Sequence, residues 1–381
     1  VKIYSSVVSG SLKVHGDITA ETYITKTNLT QFTQSFSSGS TKFGDSGDDT
    51  HQFTGSLFIS GSSISVGDGA NNVVVGNNVN FNIGGSTGFT AVGYQAAGGN
   101  EGTAISGQNI TVVGANAGKM MQQAPHRTTL VGASAGTALN VGLDNTFIGS
   151  DAGRALTAAD RNVIVGSQAG YATVDVDNAV IIGYQAGYAN MTADADGTIA
   201  IGYEAGKAIT SGQYNTVLGY QALYTEDTGD YNTAIGYQAL YTQNRDGTVG
   251  NTAVGYKAGY DMTTGYENTL IGTDTGGNLT SGEENVMMGK SAGSTATTQA
   301  SLTLIGFRAG LDINSDDADG TVLIGRSAGE NITSGRFNTA VGYQALYAED
   351  DGDYNTAIGY QALTSQTGTS GVVTNTAVGY L

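Results

Sequence analysis

Three sets of side chains in this 381-residue sequence have types that could carry chemistry: three histidines, clustered carboxylates and recurrent tyrosines. His15, His51 and His126 lie far apart, and no Gly-x-Ser-x-Gly elbow or paired-acid motif accompanies them. The constellations that general acid–base and nucleophilic catalysis need are therefore missing. No catalytic residue is assigned, and an enzyme is not expected. The chain has no cysteine, which removes disulfides, thiolate nucleophiles and zinc–thiolate sites together. The carboxylates cluster in Asp194–Gly197, Asp316–Gly320 and Glu349–Asp353, offering the hard oxygen ligands that calcium takes. None of these segments matches a defined calcium loop, so they read as solvated acidic turns, and no metal or cofactor is assigned. In a trimer a single axial histidine is supplied three times, which is the one arrangement in which His15 or His51 would hold a metal. Tyrosine follows a recurring glycine at 94, 184, 203, 220, 237, 256, 343, 360 and 380. Such rings could bind sugars, but a stacked ladder covering an edge of the fold is the expected role.

Composition narrows the elements that hold these residues. Glycine occurs 59 times and proline once, with no Gly-X-Y period, so collagen is excluded. No apolar run approaches the roughly 20 residues of a membrane helix. Fifteen basic against 33 acidic residues give a net charge of −18, which repels nucleic acid and anionic membranes. Neither is expected as a partner.

Self-similarity decides the fold. Aligning each aliphatic–Gly pair yields 18 units, from Gly76 to Gly379, with a basal spacing of 17 residues. The clearest copies are Asn232–Leu240 and Asn355–Leu363, both reading NTAIGYQAL. The residue before the key glycine is Val, Ile, Leu or Met in every unit, and the one before that is also apolar. The third residue before it is Thr, Val or Ile throughout. This is a short β-branched strand without helical period. Three residues after the glycine, alanine recurs in 15 of the 16 units from Gly93 to Gly359, marking a second short strand or a tight bend. Asparagine stands four residues before the glycine in 11 units, where it is expected to adopt a left-handed turn and bond nearby backbone.

Seventeen residues suit one coil of a parallel β-solenoid, or β-roll, of about 18 coils, whereas helical repeats need 33 or more. Neighbouring strand residues face opposite ways, so in Thr-Ala-Ile-Gly the alanine and isoleucine occupy opposite sides. One column fills the coil. The other lines its outer wall as an apolar stripe too long for a monomer to leave exposed. The frequent alanines suit close approach around an axis, and a homotrimer is the expected closed form. Eighteen coils at about 4.8 Å would make a rod of roughly 85 Å.

Residues 1–71 lie outside the array and read as a β-rich connector or attachment segment, with 72–381 as the shaft. Stretches longer than the basal period, Asn100–Gln108, Thr192–Gly197, Asn244–Gly250, Asp312–Gly320 and Ser365–Val373, are expected to project as tiers of loops. The array stops inside a unit at Leu381, and a solenoid needs a cap, so a further domain or a cleavage point is expected beyond it.

The NTA[VI]GYQAL units around Gly236, Gly342 and Gly359 resemble repeats of bacteriophage tail fibres, which often end in a cleaved endosialidase-type chaperone. The strand pattern is also similar to the head repeats of bacterial trimeric autotransporter adhesins, which are left-handed parallel β-rolls. Phe43–Ser56 resembles segments of structural proteins of marine T4-like phages. The resemblance implies a homotrimeric, non-enzymatic tail-fibre shaft on a virion. It would join tail or baseplate proteins through the N-terminal segment and present a surface to a host glycan or protein receptor. The alternative it implies is the head of a bacterial cell-surface adhesin.

Overall fold

The chain divides into two units, Val1–Ile64 and Ser65–Leu381. A computed structural model describes residues 72–381, apart from 77–78, 80–85, 99–104, 123–124 and 368–370. The expected connector, residues 1–71, and with it His15 and His51, lies outside the described residues.

The described chain is an all-β parallel solenoid. One 18-stranded sheet runs its length, and each strand ends immediately before one of the 18 key glycines. Most strands are three residues long, such as Thr233–Ile235 and Thr252–Val254. Successive strands pair parallel and in register: Thr233 with Thr252, Ala234 with Ala253, Ile235 with Val254. Like therefore stacks on like, and a column in the sequence becomes a column in space.

The key glycine is where the chain turns. Gly236 has φ 135°, and a Cβ placed on it would meet the carbonyl oxygen of Gly255 in the next coil at 2.2 Å. Coils approach so closely there that only glycine fits. The segment after it is a run of turns rather than a second strand, because left-handed residues recur every other position, as at Gln238 (φ 53°) and Leu240 (φ 50°). Hydrogen bonding between coils persists through the bend: Gln238 N donates back to Tyr220 O, and Leu240 N donates forward to Ala258 O.

The core is a stack of inward columns. Two residues before the glycine, Leu130, Phe147, Ala234 and Leu304 are all fully buried. Three residues after it lie the alanines, with Thr275 replacing one and donating its hydroxyl to Gly289 O at 2.6 Å. In the coils of Ala234 and Ala340 the fourth residue after the glycine is a buried leucine, Leu240 and Leu346, whereas in the Phe147 coil that residue is Gly153. A Cβ on Gly153 would lie 2.9 Å from the Phe147 ring. Close packing leaves room only for glycine beside Phe147, and glycine also stands in the coils of Ala200 and Ala253, as Gly206 and Gly259.

The asparagine column is buried, not at a left-handed corner. Asn268 Nδ2 donates to Gly282 O at 2.8 Å, and its Oδ1 accepts from Asn285 N at 3.1 Å. The left-handed conformation belongs to the preceding residue, Glu267 at φ 56°. The side chain thus satisfies backbone groups that the narrow coil hides from water.

Three of the insertions are absorbed within the coils rather than projecting as free loops, while Asn100–Gln108 and Ser365–Val373 lie partly outside the described residues. Thr192–Gly197 and Asp312–Gly320 each contain a short 3-10 turn, Ala193–Ala195 and Asp316–Ala318, pinned by the buried Ala195 and Ala318. Asn244–Gly250 is anchored by buried Val249 and adds a small parallel pairing of Gly229–Asp230 with Gly247–Thr248. Their tips remain exposed.

Candidate interaction face

The alternation of each strand creates a single outward face. In one coil Glu284, Val286, Met288 and Lys290 are exposed while Asn285 and Met287 between them are buried. Repeated along the array, this sets four outward columns. Two central ones are Thr/Val and Val/Ile/Leu/Met, flanked by the residue after the glycine and the fifth residue before it. No member of the aliphatic column is buried: Ile148 is 41% exposed, Leu218 44% and Ile358 40%, while most others, Ile235 among them, are half-buried. The sequence leaves open which of the two apolar columns faces outward, although its alanines suit close approach, and the structure turns the alanine column inward. Ala234 and Ala357 are inside the coil at 0% exposure, and the column available to another surface is that of Ile235 and Ile358.

The tyrosines form ladders. Tyr184, Tyr203, Tyr220, Tyr237 and Tyr256 stack continuously with ring centroids 5.0–5.4 Å apart. A separate stack on the bend runs Tyr224–Tyr241–Tyr260, with Lys207 Nζ 5.4 Å from the Tyr224 ring. Each inner ring covers the faces of its neighbours, leaving edges and hydroxyls outward. A sugar that stacks needs a free face, so these ladders act first as seams between coils. A matching amide ladder supports them, with Gln238 Nε2 donating to Gln221 Oε1 at 3.0 Å.

The acidic segments are built into the turns. Asp196 Oδ1 accepts from Asp177 N at 2.7 Å, and Asp319 Oδ1 from Ala300 N at 2.8 Å. Each therefore staples its coil to the one before, a role that reading them as solvated turns misses. Glu349, Asp350 and Asp351 place ligand oxygens within 4.8 Å of one another, but Glu349 Oε1 already accepts from Gly352 N at 2.9 Å. A cleft of about 360 Å³ is lined partly by Asp160, Asp175 and Asp177. There Asp160 Oδ1 accepts from Leu143 N, and Asp177 Oδ1 from Asp160 N. Burial, then Asp177 and Asp196, raise the Asp175 carboxyl above its ordinary value. His126 is likewise structural, its Nδ1 accepting from Gln108 N at 3.1 Å. Among the described residues, no helix is long and apolar enough to cross a membrane.

Glu226 is fully buried and accepts backbone N–H groups from Gly229, Thr228 and Arg245. Burial raises its carboxyl above the ordinary value of 4.5, against the lowering effect of those bonds. A raised folded value means that its contribution is full at pH below the unfolded value and is lost as pH rises through the folded one. Glu226→Gln removes the ionisation. Its melting temperature relative to the parent is therefore expected to improve steadily as pH is raised from acid to neutral. Thermal melts at a series of pH values check this, and a difference that is flat or falls with pH contradicts it.

No protein-family model matches the chain, and no curated protein matches it.

Proposed function

We propose that the chain is the shaft of a homotrimeric fibre, a phage tail fibre in the first instance, whose role is mechanical. The observation that supports this reading is the uncovered aliphatic face. At about 4.8 Å per strand and about 7 Å between alternate side chains, 18 strands make a face roughly 85 Å long whose two central columns span on the order of 600 Å², one of them aliphatic throughout. Monomers rarely expose more than a few hundred contiguous apolar Å², and about 800 Å² per partner is a standard specific interface. Three copies turning this face to a common axis cover it, each touching two others. The in-register stacking makes the assembly stiff, and the exposed insertion tips are presented three times, which allows avidity toward a host-surface glycan or protein. The reading assigns no catalytic step. Contacts with tail or baseplate proteins fall to residues 1–71.

Immunogold electron microscopy with antibodies against residues 72–381 tests the assignment. Gold along slender fibres of virions is the expected result. Gold on a bacterial surface supports the adhesin-head alternative instead, and labelling of neither overturns the fibre reading.

A further inference from the structure

We propose that the two edges of the outward face are complementary between copies. In this arrangement the residue after each key glycine meets the fifth residue before the same glycine in the next copy, and Lys290 pairs with Glu284 of that copy. The inference rests on the trimer reading above and adds to it a register and a set of contacts.

The two edges cannot meet within one chain. A three-residue strand lies between them, with a left-handed residue at one edge, such as Tyr231 at φ 60°, and the key glycine at the other, and the side chains of both edges are exposed. In a closed three-fold ring the contact is heterologous, one edge against the other, and closure permits no translation along the axis. With solenoid axes parallel to the ring axis, equivalent coils lie level. The two edges can then be compared coil by coil.

In most coils where one edge carries an aromatic, the other supplies an aromatic or a glycine; Tyr184 with Asn178, Phe307 with Ser301 and Tyr380 with Thr374 depart from this. Tyr237 shares its coil with Tyr231, and Tyr360 with Tyr354, all of them exposed. Tyr203 shares its coil with Gly197.

One coil also places opposite charges on the two edges. Lys290 is exposed and shares its coil with exposed Glu284. Among the described residues, none of the ion pairs within the chain includes Lys290. A second copy of this chain is thus the occupant that fits the face in shape and in charge.

The absence of cysteine makes engineered thiols a clean probe. The double variant Tyr231→Cys/Tyr237→Cys cannot close within a chain, because a disulfide needs Cα atoms within about 7 Å. On air oxidation it is expected to run mainly as a covalent trimer in a denaturing, non-reducing gel. The pair offset by one coil, Tyr214→Cys/Tyr237→Cys, is expected to cross-link at least about tenfold less, since that thiol separation grows by a strand spacing of about 4.8 Å. Equal cross-linking of the two pairs overturns the register. Covalent dimers from Tyr237→Cys alone overturn the heterologous contact.

Independently, Lys290→Glu is expected to lower the melting temperature of the trimer, and adding Glu284→Lys to restore it. Failure of the swap to restore overturns the ion pair. A parent that is monomeric by light scattering overturns the trimer reading and the pairing together. A trimeric parent with any of the failures above overturns the pairing alone.

Discussion

Gly236→Ala is expected to cost about 4 kcal/mol or more and to lower the melting temperature sharply. Two penalties add at this site. At φ 135° an L-residue is strained, and its Cβ would sit 2.2 Å from Gly255 O and 2.7 Å from Gly255 C. Both obstructing atoms are backbone, so no side-chain rotation relieves the clash. In a solenoid each coil is stabilised by its neighbours, so the lesion also weakens the stacking of the coils on either side. Gly247→Ala is the control. It too has positive φ, 81°, but no atom lies within 4 Å of the added Cβ, and a loss of about 1 kcal/mol is expected. Scanning calorimetry of the pair checks the account, and equal losses would remove close coil approach as the reason for the glycine column.

The second large effect separates two adjacent residues. Ala234→Asp puts a carboxylate into a site of 0% exposure, opposite Leu240 and without a partner, and is expected to cost several kcal/mol, about 4 or more. Ile235→Asp puts the same charge on the outward face and is expected to leave the single-chain fold intact, because Ile235 is not in the core. Far-UV circular dichroism should show loss of β-structure or a much lower melting point for the first variant. The second should keep the parent spectrum. A reversed outcome would mean that the alanine column faces out.

Much of this architecture is legible in the sequence because stacking turns periodicity directly into geometry. A 17-residue recurrence of Thr-Ala-Ile-Gly specifies strand, register and inward–outward alternation, and each of the 18 strands stops at its predicted glycine. Alternation alone could not say which apolar column faces inward, since Ala234 and Ile235 are both apolar. The structure supplies that answer: Phe147 and Leu304 of the Ala234 column are at 0% exposure, whereas Ile148 and Ile358 of the next column are exposed. The bend after the glycine was harder to read. Its left-handed residues range over Gln, Leu, Ser, Asp, Asn, Glu, Lys, Arg and Ala as well as Gly, and their conformation is tied to coil-to-coil hydrogen bonds such as Gln238 N to Tyr220 O rather than to local preference. The aspartate staples were invisible for a similar reason: Asp196 and Asp177 are 19 residues apart and meet only once the coil is closed.

Light scattering on the intact chain and on Ile235→Asp/Ile358→Asp tests the central claim most directly. The account predicts that the parent has three times the chain mass of 38.7 kDa, while the variant keeps its β-structure and falls to the mass of one chain. A folded parent at 38.7 kDa would show that the outward aliphatic face needs no partner, and would contradict it.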